Sequence, residues 1–154
     1  VSLTDSRYRT KLYLDERITD ANITIDDDAT EALNTVMYAY PPYPLKLLFS
    51  SKFEDYDVVF FIDKPKAKAR YSSARLIYAY EESITIYCHC LDKTGVTPEL
   101  ILWKAERELR RVLYTYPEQV NWRFLSETID KTLREGSMVF YGFALTLTYV
   151  REST

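Results

Sequence analysis

The sequence predicts an α+β fold: a mainly antiparallel β-sheet packed with two helices, preceded by an extended N-terminal arm. Three observations lead there. Between residues 97 and 116 the apolar side chains recur at helical spacing, whereas from Met138 to Val150 they alternate with period two. Between residues 56 and 91, runs rich in β-branched and aromatic residues follow one another, as in consecutive strands. No repeat, low-complexity linker or composition shift divides the rest, so residues 26–154 read as a single α+β domain and residues 1–25 as the arm.

Composition supports a chain able to build its own core. Of 154 residues, 47% are hydrophobic and 28% charged, near the globular average and far from disordered chains. A chain of this length buries roughly 70% of its unfolded surface. The 20 basic and 23 acidic residues leave a net charge of −3, without the basic excess of a dedicated duplex-DNA binder. No apolar run reaches the length of a membrane-spanning helix. Tyrosine occurs 14 times and glycine only 3 times, and neither GxGxxG nor GxxxxGK[ST] is present, which argues against the common nucleotide-binding loops.

The elements follow in order. In the first 25 residues Arg7, Arg9 and Lys11 alternate with Tyr8, Thr10 and Leu12. This stretch reads either as an arm that orders against a neighbour or as a segment packed on its own domain. Asp26, Asp27 and Asp28 then suit a helix start, where carboxylates favour the positive dipole end. Ala29, Leu33, Val36, Met37 and Tyr40 predict a first helix, stopped by Pro41, Pro42 and Pro44. Strands are expected at Tyr56–Ile62, Lys64–Arg70, Leu76–Tyr80 and Ile84–Leu91. Thr97-Pro98-Glu99 sets an N-cap, a proline at the first helical position and an acid in the first turn. Leu102, Ala105, Leu109, Val112, Leu113 and Tyr116 form the apolar stripe of that long second helix. Its outer face is assigned Lys104, Glu106, Arg107, Glu108, Arg110 and Arg111. Trp122–Lys131 fits a helix or a strand equally. Met138–Val150 is a strand apolar on both faces, as a central strand would be.

Few groups here bear chemistry. Zinc takes about four converging ligands. In Cys88-His89-Cys90 a regular strand sends the imidazole away from both thiols, and the chain holds no other cysteine or histidine. The thiols read as buried and reduced, and His89 as a surface or half-buried hydrogen-bonding residue rather than a triad member. The acids Glu54, Asp55, Asp57, Glu81 and Glu82 read as solvated. No cofactor and no metal are expected, and the chain reads as a non-enzyme.

Two partner-binding features remain. Lys64, Lys66, Lys68 and Arg70 alternate with Pro65, Ala67 and Ala69, so a strand makes them a basic row about 7 Å apart. Such a row can meet phosphates or an acidic protein surface, or simply protect a sheet edge from unwanted pairing. Tyr38, Tyr40 and Tyr43 sit among prolines in a rigid aromatic connection, suited to a subunit contact or to closing one end of the core.

The element order resembles the tail-terminator or tail-completion (neck) family of tailed viruses. The resemblance runs from Ala29–Tyr40, through the strand ending Ile84-Thr85-Ile86-Tyr87-Cys88 and the Asp92-Lys93-Thr94-Gly95 turn before the long helix. It closes with the strand ending Leu145-Thr146-Leu147-Thr148-Tyr149. It covers residues 29–150 as a pattern of elements rather than a sequence fingerprint. It implies a virion protein assembled in the host cytoplasm, forming a homo-oligomeric ring at the head–tail connection. The implied partners are copies of itself and other tail or neck proteins, with no cofactor, no catalysis and no membrane. The expectation drawn from it is a structural assembly protein. The alternatives are a single-stranded nucleic-acid-binding module using the basic strand and exposed tyrosines, and an enzyme of unrecognised type.

Overall fold

A computed structural model describes residues 6–24, 33–38, 56–63, 66–71, 78–91, 97–115, 122–135 and 137–153. The chain has a mixed α+β fold with a predominantly antiparallel sheet and two helices. In chain order the elements are helix α1 (Ser6–Arg17), a 3-10 turn (Asp20–Asn22), β1 (Thr35–Tyr38), β2 (Val58–Ile62), β3 (Lys66–Tyr71) and β4 (Tyr78–Leu91). Then come α2 (Pro98–Tyr114), β5 (Trp122–Leu125), β6 (Ile129–Asp130), β7 (Leu133–Glu135) and β8 (Met138–Ser153).

The sheet is built around two long strands. β4 pairs antiparallel with β8 along its whole length, from Tyr78 opposite Ser153 to Leu91 opposite Phe140. On the outer side of β4, β2 pairs with the half containing Cys88 and β3 with the half containing Glu81. β1 adds to β2 in parallel. On the outer side of β8, β5, β6 and β7 pair in succession along one strand.

Strand alternation decides the core. Ile84, Ile86, Cys88 and Cys90 of β4 pack with Val58, Phe60 and Ile62 of β2 and with Phe143, Leu145 and Leu147 of β8. The stripe of α2 closes this layer with Ile101, Ala105, Leu109, Val112 and Leu113, all buried. Thr97 stands at the N-cap and Pro98 in the first turn, as the sequence predicts, but the Thr97 hydroxyl makes no capping hydrogen bond. The helix is therefore held by its buried face rather than by its cap.

Several expectations are corrected. Within the predicted first helix over residues 29–40, Thr35–Tyr38 is a strand, residues 29–32, 39 and 40 lying outside the described ones; Met37 points into the core while Val36 and Tyr38 lie on the other face. The other described helix, α1, lies in the stretch read either as an arm or as a segment packed on its own domain. α1 buries Tyr13 and Leu14 in the core, with Ile23 just beyond, so residues 6–24 pack on their own chain. The two strands expected at Leu76–Tyr80 and Ile84–Leu91 form one continuous β4, residues 76 and 77 lying outside the described ones. The segment left open between helix and strand holds β5 and β6, with a bulge between Trp122 and Phe124.

The outer face assigned to α2 also needs correction: Lys104 and Glu108 are buried. The 19–24 turn lies across them. Glu108 accepts hydrogen bonds from the Thr19 N–H at 3.1 Å and from Asn22 Nδ2 at 2.8 Å, and Lys104 Nζ donates to Thr24 Oγ1 at 2.6 Å. Arg111 completes the clasp on the Glu108 carboxylate and reaches the Arg17 carbonyl. Burial pushes the Glu108 carboxyl up, but the hydrogen bonds from Arg111, Thr19 and Asn22 outweigh it and leave the pKa lowered.

Candidate functional site

A concavity lies between α2 and the β6–β7 strip, on the helix side of the sheet. It encloses about 650 Å³. From α2 it takes Glu99, Leu102, Trp103 and Glu106, and from the strip Thr128, Asp130, Thr132 and Arg134, with Tyr141 and Phe143 as floor. The strip supplies these groups because alternate residues face the helix, while Leu133 packs on the opposite side.

The polar groups of this cleft are partly committed. Glu106 Oε1 accepts from Arg110 Nε at 3.1 Å and from the Thr128 hydroxyl. Arg110 also donates to the Ser126 carbonyl at 3.0 Å, so one guanidinium ties α2 to the start of the strip. Asp130 Oδ1 accepts from both the backbone N–H and the hydroxyl of Thr132, at 2.9 and 2.7 Å. Those donors lower its pKa and keep it ionised. Glu99 and Asp130 are both exposed. Trp103 is 51% exposed, with the Arg107 guanidinium 4.9 Å from its ring centroid. Carboxylates beside an indole face suit a cationic side chain. None of these residues was singled out from sequence as a site. The available signal was Trp103 itself, an aromatic on the otherwise charged face of α2.

The sequence-predicted site residues are dispersed. Tyr38 lies in β1, half-buried, stacked on Phe61 with ring centroids 5.9 Å apart. Burial, then the neighbouring Tyr56, raises its pKa. Tyr40, Tyr43 and Lys64 lie outside the described residues. Lys66, Lys68 and Arg70 occupy β3, where the register sets them opposite Ser83, Glu81 and Ala79. Lys66 is exposed. The structure does not bring Tyr38 and the basic row together: they sit on different strands, one beside β2 and the other beside β4.

Cys88 and Cys90 lie in the main core, both buried and neither in a disulfide. Burial, then Cys90, pushes the Cys88 thiol well up. His89 points to the other face, edge-on to Phe61 at 6.4 Å between centroids. It is itself buried, against the expectation of a surface or half-buried position. Burial lowers its pKa to about 4, opposed by a backbone hydrogen bond with Phe140. The imidazole lies over Gly142, its partner across the β4–β8 ladder, where a Cβ would collide with Nδ1. Among the described residues no group of three His, Cys, Asp or Glu side chains is placed to hold a metal ion. No described helix is long and apolar enough to cross a membrane. No family model matches the sequence, and neither does any curated protein.

Proposed function

We propose that this chain is a structural assembly protein that works by binding other proteins, and that it serves as a ring-forming tail-terminator or head–tail joining component of a virus particle. The observation that supports assembly is Trp103 on α2, a large aromatic 51% exposed at the rim of the cleft and suited to contact with another protein. The dispersal of the reactive groups points the same way: the thiols and the imidazole occupy opposite faces, and the cleft carboxylates serve Thr132, Thr128 and Arg110.

The virion role draws on the resemblance of the element order over residues 29–150 to neck proteins, of which the strand through Cys88, the long helix and the closing strand are kept, while Thr35–Tyr38 is a strand where that order has a helix. Its partners would be copies of itself and tail or neck proteins, and its location the virion. Native mass measurement with negative-stain microscopy tests this: a closed ring is expected, alone at high concentration or on addition of tail-tube protein. A monomer that ignores such partners at every concentration overturns it.

A further inference from the structure

We infer that residues 6–24 form a strap that docks on α2 and undocks from it as one unit, with Glu108 as the latch and with α2 and the sheet staying folded. This goes beyond the assembly reading and holds for a single chain as for a ring.

The strap lies on a charged flank of α2. The apolar stripe of the helix, Ile101, Ala105, Leu109, Val112 and Leu113, belongs to the core under the sheet. Lys104 and Glu108 flank that stripe one turn apart, and both are buried. Their partners come from the strap: the Thr19 N–H and Asn22 Nδ2 donate to Glu108, and Lys104 Nζ donates to Thr24 Oγ1. Two further bonds extend the seam, from the Tyr13 hydroxyl to the Val112 carbonyl and from Arg111 to the Arg17 carbonyl, each at 3.3 Å. The apolar anchors are Tyr13, Leu14 and Ile23, with Ile18 partly buried.

The sheet is held differently. β4 is joined to β2 and to β8 by continuous ladders, and its inward side chains are closed in by the α2 stripe. Undocking of the strap breaks neither the ladders nor that stripe. It returns Lys104 and Glu108 to water, and their hydration offsets part of the lost hydrogen bonding. The strap therefore opens at a lower free energy than the whole chain unfolds.

Glu108 is the latch because one carboxylate gathers both ends of the 19–22 turn. It is 3% exposed, whereas Thr19 and Asn22, which cover it, are exposed residues. Arg111 binds the same carboxylate from its own helix. Without the carboxylate the docked Thr19 N–H loses its acceptor, while the undocked N–H is hydrated either way. The penalty falls on the docked state alone.

The test is native-state hydrogen exchange on the full chain. In the wild type the amides of Ile18, Asn22 and Ile23 are expected to exchange through one common opening. That opening should be about tenfold or more faster than exchange in the β4–β8 ladder. Glu108→Ala is expected to speed the strap amides by a further factor of about ten and to leave the ladder unchanged. Alanine favours the helix, so α2 itself is not weakened by the change. Asn22→Ala removes one donor at an exposed residue and covers a Glu108 variant that fails to fold. It is expected to speed the same amides by about threefold. Strap amides as slow as the ladder in the wild type overturn the separate unit. Strap rates unmoved by both variants, or a ladder accelerated as much as the strap, overturn the latch. Either result leaves the ring to be decided by the oligomeric state.

Discussion

The two faces of the sheet are made by the same strands yet built differently. On the helix side, β2, β4 and β8 contribute to one large cluster closed by α1 and α2, with Phe60, Ile62, Ile84, Ile86 and Leu145 essentially inaccessible. On the other side Val59, Phe61 and Phe140 are buried, fringed by partly buried Val36, Tyr38, Tyr56, Tyr87 and Leu133. Neighbours in sequence are therefore assigned to different environments by strand parity alone: Phe60 and Phe61, or Cys88 and His89. The difference in cover then sets what each face tolerates.

Phe60 and Phe61 give the largest test, since they are adjacent, chemically identical and 1% and 2% exposed. Phe60→Ala opens a cavity between two layers that cannot easily collapse, and about 3–5 kcal/mol of stability should be lost. Phe61→Ala removes a ring stacked on half-buried Tyr38 rather than one closed in by a helix layer, so its loss should be about 1–2 kcal/mol smaller. Urea denaturation of both variants checks this. Equal losses would show that the second face is packed as rigidly as the first.

The faces should also differ in how they respond to pH. His89 is held neutral by burial, with a folded pKa of about 4 against 6.5 for the free group. A depressed folded pKa means stability that is present above 6.5 and drains away as pH falls towards 4, because the unfolded chain takes up the proton first. The loss over that window is on the order of 3 kcal/mol. Cys88 on the helix face acts at the other end: its raised thiol pKa gives stability present below 9.0 and lost as pH rises beyond it. Urea midpoints at pH 7, 5.5 and 4 for wild type and His89→Leu isolate the imidazole. The acid-side slope should shrink in the variant, and parallel profiles would remove His89 from the account.

Legibility in the sequence follows the same physics. α2 and β8 are readable because their apolar periods extend over many residues and α2 also carries Thr97-Pro98 at its start. β1 is not: Leu33, Val36, Met37 and Tyr40 fit a helical stripe, and a four-residue strand is too short for period two to compete. α1 offers the reverse problem, with a sequence dominated by charged and polar residues and Tyr13 and Leu14 as its deep anchors. Its helix is stabilised by tertiary packing, which local spacing does not reveal. Lys104 and Glu108 look like solvent-facing charges until the 19–24 turn covers them. The cleft depends on three short strands taking places along β8, a pairing that no local pattern encodes. The separation of His89 from the thiols was legible, because it needs nothing beyond an extended backbone.

A smaller effect probes the closest approach between the central strands. Gly142 sits opposite His89, and a Cβ there would come within 2.8 Å of the Cys88 carbonyl oxygen as well as colliding with the imidazole. Gly142→Ala should therefore cost about 1–3 kcal/mol through overpacking, although alanine suits a strand better than glycine does. The imidazole is a movable side chain and the carbonyl is backbone, so the two obstacles can be separated. In Gly142→Ala/His89→Ala the ring is gone while the carbonyl remains. The double variant should accordingly be more stable than the sum of the single losses, by about 0.5 kcal/mol or more. Strict additivity would place the imidazole elsewhere, and a full recovery would show that the Cys88 carbonyl yields.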